Sequence, residues 1–530
     1  MEKPKTKYAL MSVFDKTGVV ELATHLETNG YTVIATGNTY KTLIEAGIKN
    51  VTKIEDVTNF PEIMDGRVKT LHPKIFGGIL SLRDDPRHLR DMLKNGITPI
   101  DFVVVNLYPF RDKMKENLSE GEMLEYIDIG GVSLIRAAAK NFKNVCVLVS
   151  PSNYSTVISF LKKKKNVPED VKRFFAYDAF RHTADYDAEI SRFLEVKAPK
   201  GVAPENIPGG FPFGGIYNLA LNKIQDLRYG ENPHQKAAYY GVNGRAGADF
   251  KKLSGKDISY NNILDIDASL SILKDFSEDE FFASVVKHTN PCGAALSKKS
   301  LKDAFLKARK ADEVSSFGGI VAFNRIVDAR TANEIKPFFI EIIIAPGYDK
   351  EAEDILKSKK NLIIIEYSMD YMNKKGGLGF RGVLSGLLVQ EKDDGTDDSS
   401  SFKTVTKKRP GKGIMEDLLF AWKITRHVKS NAIVYVKNGV TVGIGAGQMS
   451  RIDSAKFARE KMVSAFGNIN GFVMASDGFF PFKDSVEYAG KIGAVGIIEP
   501  GGSVRDEEVI KEADRLGIPM VFTGARHFKH

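Results

Sequence analysis

Short, continuous apolar runs alternate with amphipathic helical patterns in the first part of the chain, and this alternation constrains the fold more than any other feature of the sequence. The runs occupy residues 8–13, 31–36, 102–108 and 144–150. Such runs are typical of strands that are buried on both faces of a parallel sheet, and the helical patterns between them supply the crossovers. The N-terminal region is therefore predicted to be a doubly wound α/β domain with a parallel sheet, whose ligands bind at the carboxyl ends of the strands.

Two further α/β regions are predicted in the remainder of the chain. A stretch rich in Pro and Gly at 195–215 follows a helical segment at 168–195, and we interpret this stretch as a linker. Strand and helix patterns resume on both sides of a charged, low-complexity passage at 390–413, which is predicted to be a mobile loop or an inter-domain connection. The two later regions look like a related pair. The predicted domains are 1–199, 200–390 and 391–530.

Composition excludes several classes of protein. The 530 residues contain two cysteines, Cys146 and Cys292, which excludes a disulfide framework and a zinc site built on several thiolates. No apolar run approaches the ~20 residues that span a bilayer, and the N-terminus lacks a signal-peptide pattern, so we expect a cytoplasmic protein without a membrane partner. The net charge of +9 favours anionic ligands, but cations and anions are interspersed, which argues against nucleic acid as a partner.

Cationic side chains are concentrated in GRVKTLHPKIFGGIL, residues 66–80. Arg67, Lys69, His72 and Lys74 alternate there with turn-forming Gly and Pro. A loop that holds several cations at fixed geometry suits an anionic substrate or a developing oxyanion. A solvated basic surface would not need this turn chemistry, so the stretch is predicted to be part of a site.

Three more residues in this region are candidates for proton transfer. Tyr108 follows an apolar strand, Asp128 precedes a Gly-Gly pair, and Lys140 lies on the helix that follows that pair. A phenol, a carboxyl and an amine at one edge of a sheet are predicted to move protons. Two segments, 12–18 and 35–39, place small or hydroxylated residues between strand and helix. They are either phosphate sites or ordinary N-caps.

In the second region, an apolar run ends at Lys287 and His288, within VVKHTNPCGAA. Neighbouring side chains on a strand point to opposite faces, so these two can share a site only if the strand ends there. The Asn290–Pro291 pair, which we interpret as the turn, predicts such an end. The alternative is a polar loop without a function.

Further candidates lie before and after this pair. Arg228 and Tyr229 precede a turn and are predicted to bind a phosphate and stack on a base, and Asn261 and Asn262 come soon after them. SSFGG presents backbone N–H groups near a glycine, and GIGAGQMSR ends in an arginine. The closing RHFKH is either part of the site or a frayed basic tail.

Eight motifs occur in order along the chain, and together they closely resemble those of the AICAR transformylase/IMP cyclohydrolase family. They are GRVKTLHPKIFGGIL, NLYPF, IDIGGVSLIRAAAKN, LRYGENPHQ, KHTNPCG, SSFGG, IGAGQMSR and SDGFFPF. The resemblance runs from residue 8 to His530. It implies a bifunctional enzyme of purine biosynthesis that transfers a formyl group from 10-formyltetrahydrofolate to AICAR and then closes formyl-AICAR to IMP with loss of water.

The resemblance also implies an architecture and an assembly. The N-terminal domain is expected to have a methylglyoxal-synthase-like fold and to carry the cyclohydrolase. The two later domains are expected to be cytidine-deaminase-like and to form the transformylase. The family is homodimeric and uses 10-formyltetrahydrofolate as a co-substrate, which implies no tightly bound cofactor and no catalytic metal.

For the cyclohydrolase, the resemblance implies catalytic roles for Lys69, Tyr108, Asp128 and Lys140. The family often has Ser-Gly-Gly-Thr where this chain has Thr36 to Thr39. The implied nucleotide-binding residues are Phe14, Asp15, Lys16, Thr36, Gly37, Asn38, Thr39, Arg67, Val68, Lys69, Thr70, Val105, Asn106, Asp128 and Ile129.

For the transformylase, the resemblance implies that His288 is the general base and that Lys287 stabilises the transition state. The implied AICAR-binding residues are Arg228, Tyr229, Asn262, His288, Gly318, Glu341, Asn431, Phe479, Arg526, Phe528 and His530. The implied folate-binding residues are Arg451, Asp484, Ser503 and Val504.

Two other functions compete with this interpretation. A zinc deaminase would suit the fold, but Cys292 has no second cysteine nearby to complete the zinc site. A nucleotide-binding regulatory protein with a methylglyoxal-synthase-like effector domain is the remaining alternative. The presence of Lys69, Tyr108, Asp128 and Lys140 argues against it.

Overall fold

A computed structural model describes residues 7–64, 66–194, 219, 221–242, 248–374, 376–393, 395 and 397–530. The chain forms two compact units, Met1–Ala220 and Leu221–His530. The predicted linker at 195–215, and with it the predicted boundary between 199 and 200, lies outside the described residues. Among the described residues, no helix is both long enough and apolar enough to cross a membrane.

The N-terminal unit alternates strands with helices, as predicted. Its strands are β1 (Lys7–Val13), β2 (Tyr31–Ala35), β3 (Val51–Lys53), β4 (Ile100–Asn106) and β5 (Cys146–Leu148). Its helices are α1 (Val19–Thr28), α2 (Gly37–Glu45), α3 (Ile54–Thr58), α4 (Pro73–Leu80), α5 (Pro86–Lys94), α6 (Phe110–Lys113), α7 (Glu120–Leu124), α8 (Gly130–Lys140), α9 (Tyr154–Lys162) and α10 (Glu169–Phe193), with a 3₁₀ turn at Pro151–Asn153.

The five strands form one parallel sheet in the order β3-β2-β1-β4-β5. The apolar runs fill the core because helices cover both faces of the sheet, and Val103 and Val104 are fully buried. The chain moves outward from β1 to β3, then returns to the other side of β1 with β4. The carboxyl ends of β1 and β4 therefore flank a topological switch point, which is where ligands bind in such sheets. The prediction of a doubly wound parallel sheet is confirmed.

The C-terminal unit is built on a 12-stranded sheet and two separate hairpins. Its strands are β6 (Leu221–Leu227), β7 (Ala237–Val242), β8 (Phe250–Ser254), β9 (Phe281–Lys287), β10 (Asn290–Ser297), β11 (Ile320–Phe323), β12 (Ile342–Ala345), β13 (Ile363–Tyr367), β14 (Leu378–Val383), β15 (Gly386–Glu391), β16 (Lys403–Thr404), β17 (Ile433–Lys437), β18 (Val440–Gly445), β19 (Phe472–Ser476), β20 (Ala494–Glu499) and β21 (Met520–Phe522). Its helices are α11 (Tyr260–Asp275), α12 (Leu301–Lys310), α13 (Glu313–Ser316), α14 (Ala329–Ile335), α15 (Lys350–Lys357), α16 (Met369–Asn373), α17 (Lys412–Thr425), α18 (Arg451–Phe466), α19 (Asp484–Lys491) and α20 (Asp506–Leu516), with a 3₁₀ turn at Ser399–Ser401.

The large sheet consists of two halves with the same topology, residues 250–367 (the first repeat) and 403–522 (the second repeat). The first repeat has the order β10-β9-β11-β12-β13-β8, the second has β18-β17-β19-β20-β21-β16, and β10 joins β18 at the centre. In each half a hairpin is followed by three mutually parallel strands and an antiparallel edge strand. The predicted resemblance between the second and third regions is confirmed at the level of topology.

Equivalent glycines allow a helix to approach each central hairpin closely. A Cβ atom on Gly293 of β10 would lie 2.0 Å from the carbonyl oxygen of Ala308, on α12. A Cβ atom on Gly443 of β18 would lie 2.1 Å from the carbonyl oxygen of Ala458, on α18. Any side chain at either position would push the helix off the sheet.

The charged passage at 390–413 leads from the first repeat into the second, which agrees with the predicted inter-domain connection, and its described residues make tertiary contacts. Lys403 and Thr404 pair with Phe522 and Val521 at the edge of the large sheet. Asp393 and Asp397 contact a buried histidine close to the C-terminus. These contacts were not predicted, because the partners lie more than a hundred residues away in sequence, where composition gives no sign of them. The predicted domain boundary after residue 390 falls within β15, between the two repeats.

Candidate active sites

A cavity of about 560 Å³ opens at the switch point of the N-terminal sheet. It lies where β1, β2 and β4 end and where α2 and α8 begin, so two helix N-termini contribute partial positive charge to it. The predicted residues that line it are Phe14, Lys16, Thr36, Gly37, Asn38, Thr39, Arg67, Lys69, Thr70, Asn106, Tyr108, Asp128 and Ile129.

The loop after β1 is held in place by the end of β4. The Oδ1 atom of Asn106 accepts hydrogen bonds from the N–H groups of Phe14 and Asp15, at 2.5 and 2.9 Å. Lys16 folds back so that its Nζ donates to the carbonyl oxygens of Val13 and Phe14. Burial lowers the pKa of Lys16, although the charge of Asp15 opposes the shift. The loop thus supplies an ordered cation beside the helix N-termini.

Asp128 is the acidic group of this cavity. Its Oδ1 accepts a hydrogen bond of 2.6 Å from the N–H of Gly131, at the start of α8. Burial raises the pKa of Asp128, while the Gly131 hydrogen bond and the charge of Lys69 oppose the shift. A carboxyl group with a raised pKa beside an ammonium group can hold and release a proton during a reaction.

A residue that sequence inspection missed orients Asp128. The hydroxyl group of Tyr186, on α10, accepts a hydrogen bond from the N–H of Asp128 at 2.9 Å and donates to the carbonyl oxygen of Tyr126 at 2.7 Å. Tyr186 follows Asp128 by 58 residues and lies within an ordinary amphipathic helix, so its sequence context gave no signal.

Four predicted residues do not line the cavity. Val105 is buried within β4, Val68 pairs with Ile63, and the carboxylate of Asp15 accepts the N–H of Thr17. Lys140 is exposed at the C-terminal end of α8, whereas the cavity adjoins the N-terminal end of that helix. The helix has 11 residues, so its two ends lie about 15 Å apart. The described chain does not bring Lys140 together with Lys69, Tyr108 and Asp128.

In the C-terminal unit, Lys287 and His288 stand at the end of β9, as predicted. The turn, however, consists of His288 and Thr289, whose φ angles are 51° and 64°, and Asn290 and Pro291 already belong to β10. The expected Asn-Pro turn was therefore wrong. Residues with a side chain rarely adopt positive φ, and such positions concentrate at functional sites. The Nζ of Lys287 donates to the carbonyl oxygen of Phe317 at 2.8 Å.

Asp265, on α11, holds this turn and was not predicted. Its Oδ1 accepts a hydrogen bond of 2.6 Å from the N–H of Thr289. Burial raises the pKa of Asp265, and the N–H of Thr289 and the nearby His288 oppose the shift. The carboxylate therefore positions the exposed imidazole of His288 through the backbone.

Residues predicted to bind AICAR surround this turn in two groups. In the first, Glu341 accepts hydrogen bonds from Asn262 at 3.2 Å and from Lys256 at 2.7 Å. Burial alone would raise the pKa of Glu341, but these hydrogen bonds outweigh burial and lower it. The guanidinium group of Arg228 lies 4.7 Å from the ring centre of Tyr229. Lys256 was not predicted.

The Phe317–Gly319 segment adjoins this first group. Gly318 has a φ of 71°, and its N–H donates to the carbonyl oxygen of Phe339 at 2.8 Å. The carbonyl oxygen of Gly319 accepts the N–H of Glu341. The segment therefore lies beside both Lys287 and the Glu341 cluster.

The second group borders a smaller cavity of about 290 Å³, which is lined by Asn431, Phe528 and His530 together with Ser430, Gly447, Gln448 and Met449. It adjoins the hairpin that carries His288, because the N–H of Lys429 donates to the Oδ1 of Asn290 at 2.9 Å. Arg526 lies with its guanidinium group 4.6 Å from the ring centre of Phe528. The C-terminal residues thus fold against this cavity and are not a frayed tail.

The residues predicted to bind folate do not lie together. The buried guanidinium group of Arg451 forms an ion pair with the fully buried Asp477 and donates to the carbonyl oxygen of Phe479 at 3.0 Å. Ser503 and Val504 line an open depression on the surface, which neither Arg451 nor Asp484 lines. Asp484 begins α19, where its carboxylate accepts the N–H of Ser485.

Comparisons with known proteins identify the family. The family described as "AICARFT/IMPCHase bienzyme" matches residues 138–461, and the "MGS-like domain" family matches residues 18–133. A protein named "Bifunctional purine biosynthesis protein PurH" from Thermoanaerobacter sp. (strain X514) is 49% identical over 532 residues, covering 99% of this chain and 100% of the relative. One of the same name from Persephonella marina is 47% identical over 526 residues, covering 98% of this chain and 99% of the relative.

A third relative agrees with these two. The protein of the same name from Bacillus cereus (strain AH820) is 48% identical over 528 residues, covering 99% of this chain and 100% of the relative. The matched lengths cover both units of the chain. The chain belongs to the AICARFT/IMPCHase bienzyme family of bifunctional purine biosynthesis enzymes.

Proposed function

We propose that the two activities occupy separate sites, with formyl transfer at the Lys287–His288 turn and ring closure at the cavity around Asp128. The observation that carries the first assignment is the left-handed conformation of His288 at the end of β9, which presents the imidazole to solvent beside Lys287. Strain of this kind persists where function requires it. The second assignment is supported by the Asp128–Lys69 pair between two helix N-termini.

Formyl transfer needs a base because the AICAR amine is a poor nucleophile, with its lone pair delocalised into the ring and the carboxamide. The amine nitrogen attacks the formyl carbon of 10-formyltetrahydrofolate, and the bond from that carbon to N10 breaks. His288 removes the proton of the attacking amine, and N10 leaves with a proton. The ammonium group of Lys287 stabilises the negative charge that develops on the formyl oxygen.

Ring closure then joins two groups of the same molecule. The carboxamide nitrogen of formyl-AICAR attacks the formyl carbon, and the resulting hydroxyl group leaves as water to give IMP. Lys69 and Tyr108 stabilise the developing oxyanion, and Asp128 transfers protons between nitrogen and oxygen. The cavity positions the reacting groups, and positioning supplies much of the acceleration for such a reaction.

The binding roles follow the same division. Helix N-termini, Lys16 and Arg67 bind the phosphate in the cyclohydrolase cavity, and the residues around Glu341 and Asn431 bind AICAR in the transformylase site. We infer that 10-formyltetrahydrofolate binds and dissociates as a co-substrate and is not a resident cofactor.

We also infer a homodimer assembled at the transformylase site. Apolar side chains around that site are exposed in the single chain, including Phe317 at 66% and Met449 at 95%. A second copy that covers them would remove this surface from water. Sedimentation of the full chain tests this inference, since a monomer at micromolar concentration would contradict it.

A pair of substitutions tests the assignment of the two sites. His288→Ala is expected to lower formyl transfer by about 10²-fold or more while cyclisation of supplied formyl-AICAR continues. Lys69→Ala is expected to do the reverse, so that formyl-AICAR accumulates. If either substitution removed both activities from a folded protein, the separation into two sites would be wrong.

A further inference from the structure

The charged passage at 390–413 contacts His527. This residue directly precedes the C-terminal tail, Phe528 to His530, which is predicted to bind the nucleotide. The Nδ1 of His527 lies 2.7 Å from the Oδ2 of Asp393, and its Nε2 lies 2.9 Å from the Oδ2 of Asp397. We call Asp393 and Asp397 the acidic clasp. A neutral imidazole has only one N–H group, so both contacts can be hydrogen bonds only when His527 is an imidazolium.

The acidic clasp is anchored to the end of α17. Arg426 donates to the carbonyl oxygens of Asp393 and Gly395, at 2.9 Å each, and its guanidinium group lies 3.3 Å from the Asp393 carboxylate. The indole Nε1 of Trp422, one turn earlier, donates to Asp397 at 2.6 Å. The clasp is therefore fixed to the large sheet by a helix that packs on it.

His527 is nearly inaccessible, with 6% of its surface exposed. Burial would lower its pKa, but the hydrogen bonds and charges of Asp393 and Asp397 outweigh burial and raise the pKa to about 9. Arg426 is the other charged group at the clasp, and its guanidinium group lies 3.5 Å from the carboxylate of Asp275. The stabilisation from protonated His527 is therefore complete below pH 6.5, the ordinary histidine pKa, and is lost as the pH rises through about 9.

The tail leads directly from His527 into the nucleotide site. The N–H of His527 donates to the carbonyl oxygen of Asp477 at 3.2 Å, and the N–H of Lys529 donates to the Oγ of Ser430 at 3.1 Å. Between and beyond these anchors, Phe528 and His530 line the cavity that we assign to AICAR. A change at His527 is thus transmitted to two side chains of the site.

We propose that His527 is a positioning residue for formyl transfer, which the acidic clasp holds as an imidazolium so that Phe528 and His530 stay in the nucleotide site. The proposal rests on the proposed assignment of that cavity to AICAR. When the imidazole loses its proton or the clasp loses a carboxylate, the tail leaves the site for part of the time. The apparent dissociation constant for AICAR then rises in inverse proportion to the fraction of tail in place.

The chain contains its own reporter of this clasp. Trp422 is the single tryptophan of the sequence, and its ring centre lies 5.4 Å from that of His527. A protonated imidazole quenches indole fluorescence on contact, whereas a neutral imidazole quenches it weakly. Emission from the full-length protein therefore reports the protonation of His527 without any added probe.

The first measurement is tryptophan emission against pH, from about 7 to about 10.5. Emission is expected to rise with a midpoint near the pKa of about 9, and the rise should be absent in His527→Gln. Asp393→Asn removes one of the two carboxylates, so its midpoint should fall by about one pH unit. Asp398→Asn is the matched control, because this exposed neighbour loses the same charge without contacting His527 and should keep the original midpoint.

The second measurement is the kinetics of both activities near neutral pH. In His527→Gln and Asp393→Asn, the KM for AICAR is expected to rise about tenfold, with kcat changed less than about twofold, because saturating AICAR restores the tail. Cyclisation of formyl-AICAR and the Asp398→Asn control should be unchanged. In the original chain, the KM for AICAR should also rise as the pH passes about 9.

Three results would overturn this role for His527. They are the absence of a pH step in Trp422 emission, a step that persists in His527→Gln, and a step with an unchanged KM for AICAR in every clasp variant. If kcat fell only by the fraction of protein that is unfolded, and KM were unchanged, His527 would stabilise the fold without positioning the tail. Failure of the proposed catalytic assignment is distinguishable, because His288→Ala would then retain formyl transfer while the clasp variants still raise KM.

Discussion

The two repeats of the C-terminal unit use the same hairpin turn with different residues. In the second repeat the turn between β17 and β18 is Asn438–Gly439, with φ angles of 53° and 68°. In the first repeat the equivalent turn between β9 and β10 is His288–Thr289, with φ angles of 51° and 64°. Two-residue hairpins with positive φ at both positions strongly favour Asn-Gly, because these residues adopt that conformation with little strain.

Each turn is also held by an aspartate on the preceding helix. Asp417 is the sixth residue of α17, and it accepts the N–H groups of Asn438 and Gly439 at 2.8 and 2.7 Å. Asp265 is the sixth residue of α11, and it accepts the N–H of Thr289 at 2.6 Å. The scaffold of the two turns is therefore the same, and only the turn residues differ.

The comparison shows which part of the first turn serves folding and which part serves chemistry. The second repeat has the residues that the backbone prefers. The first repeat has an imidazole and a β-branched residue in the same conformation, which costs on the order of 1 kcal/mol for each of the two residues. An identical scaffold without any such strain stands in the same sheet, so folding alone does not explain the choice of His288 and Thr289.

Replacing the residues of the first turn with those of the second turn should have the largest effect. In the double variant His288→Asn, Thr289→Gly, formyl transfer is expected to fall by about 10²-fold or more, because the base is gone. The free energy of unfolding should rise by about 1 kcal/mol, because the strain is relieved. Formyl-transfer assays and thermal unfolding of the full chain measure the two quantities.

Cyclisation of formyl-AICAR is the control for that double variant and should be unchanged. A variant that lost formyl transfer and was also less stable would contradict the inferred strain. A variant that kept formyl transfer would remove His288 from the mechanism.

The reverse exchange should have a smaller effect, and only on stability. Asn438→His with Gly439→Thr places two strained residues in the second turn, so the free energy of unfolding is expected to fall by about 1–3 kcal/mol. Formyl transfer per folded molecule should be unchanged, because no catalytic group is altered. Unfolding in urea, followed by far-ultraviolet circular dichroism, measures the first quantity. Equal stability in the two proteins would mean that the sheet accepts such turns without strain.

Much of the fold was predictable because it depends on local patterns. Continuous apolar runs predicted the strands of the parallel sheet, and the small or hydroxylated residues at 35–39 predicted the N-terminus of α2 as either a phosphate site or an ordinary N-cap. The end of β9 at Lys287 was also predicted, although the turn was placed at Asn290–Pro291. The Asn-Pro pair was misleading because proline at the start of a strand is as acceptable as proline in a turn.

The unpredicted parts depend on partners that are distant in sequence. Asp265 and Tyr186 orient site residues from helices whose patterns are ordinary. The contact between Asp393 and His527 joins residues 134 positions apart. Lys140 illustrates the converse, because its motif is intact but the described chain places it at the far end of α8 from the cavity. Sequence proximity to Asp128 did not translate into spatial proximity.

Removing the two aspartates separately should distinguish their effect on stability from their effect on formyl transfer. Asp417→Ala leaves two backbone N–H groups without their acceptor and should lower the free energy of unfolding by about 1–2 kcal/mol without changing formyl transfer. Asp265→Ala should cause a similar loss of stability and should also lower formyl transfer about tenfold, because the backbone that carries His288 loses its restraint. Assays at a temperature where both variants are folded separate the two effects.

The smallest effect should appear in the pH dependence of stability. Burial raises the pKa of both Asp265 and Asp417, against the opposing hydrogen bonds from the turns. Between the ordinary aspartate pKa and the raised one, the folded state binds more protons than the unfolded state, so stability falls as the pH rises through that window. Asn cannot ionise and keeps a carbonyl acceptor for the turn.

Asp417→Asn and Asp265→Asn should therefore each remove part of the loss of stability with rising pH. The stability of each variant relative to the original chain should increase between pH 3.8, the ordinary aspartate pKa, and neutral pH. Urea unfolding at a series of pH values measures the difference. A difference that is constant with pH would show that folding does not shift the pKa of either carboxyl group. In both repeats, the hydrogen bonds from the turn N–H groups would then have to offset the free-energy cost of burying the charged aspartate carboxylate.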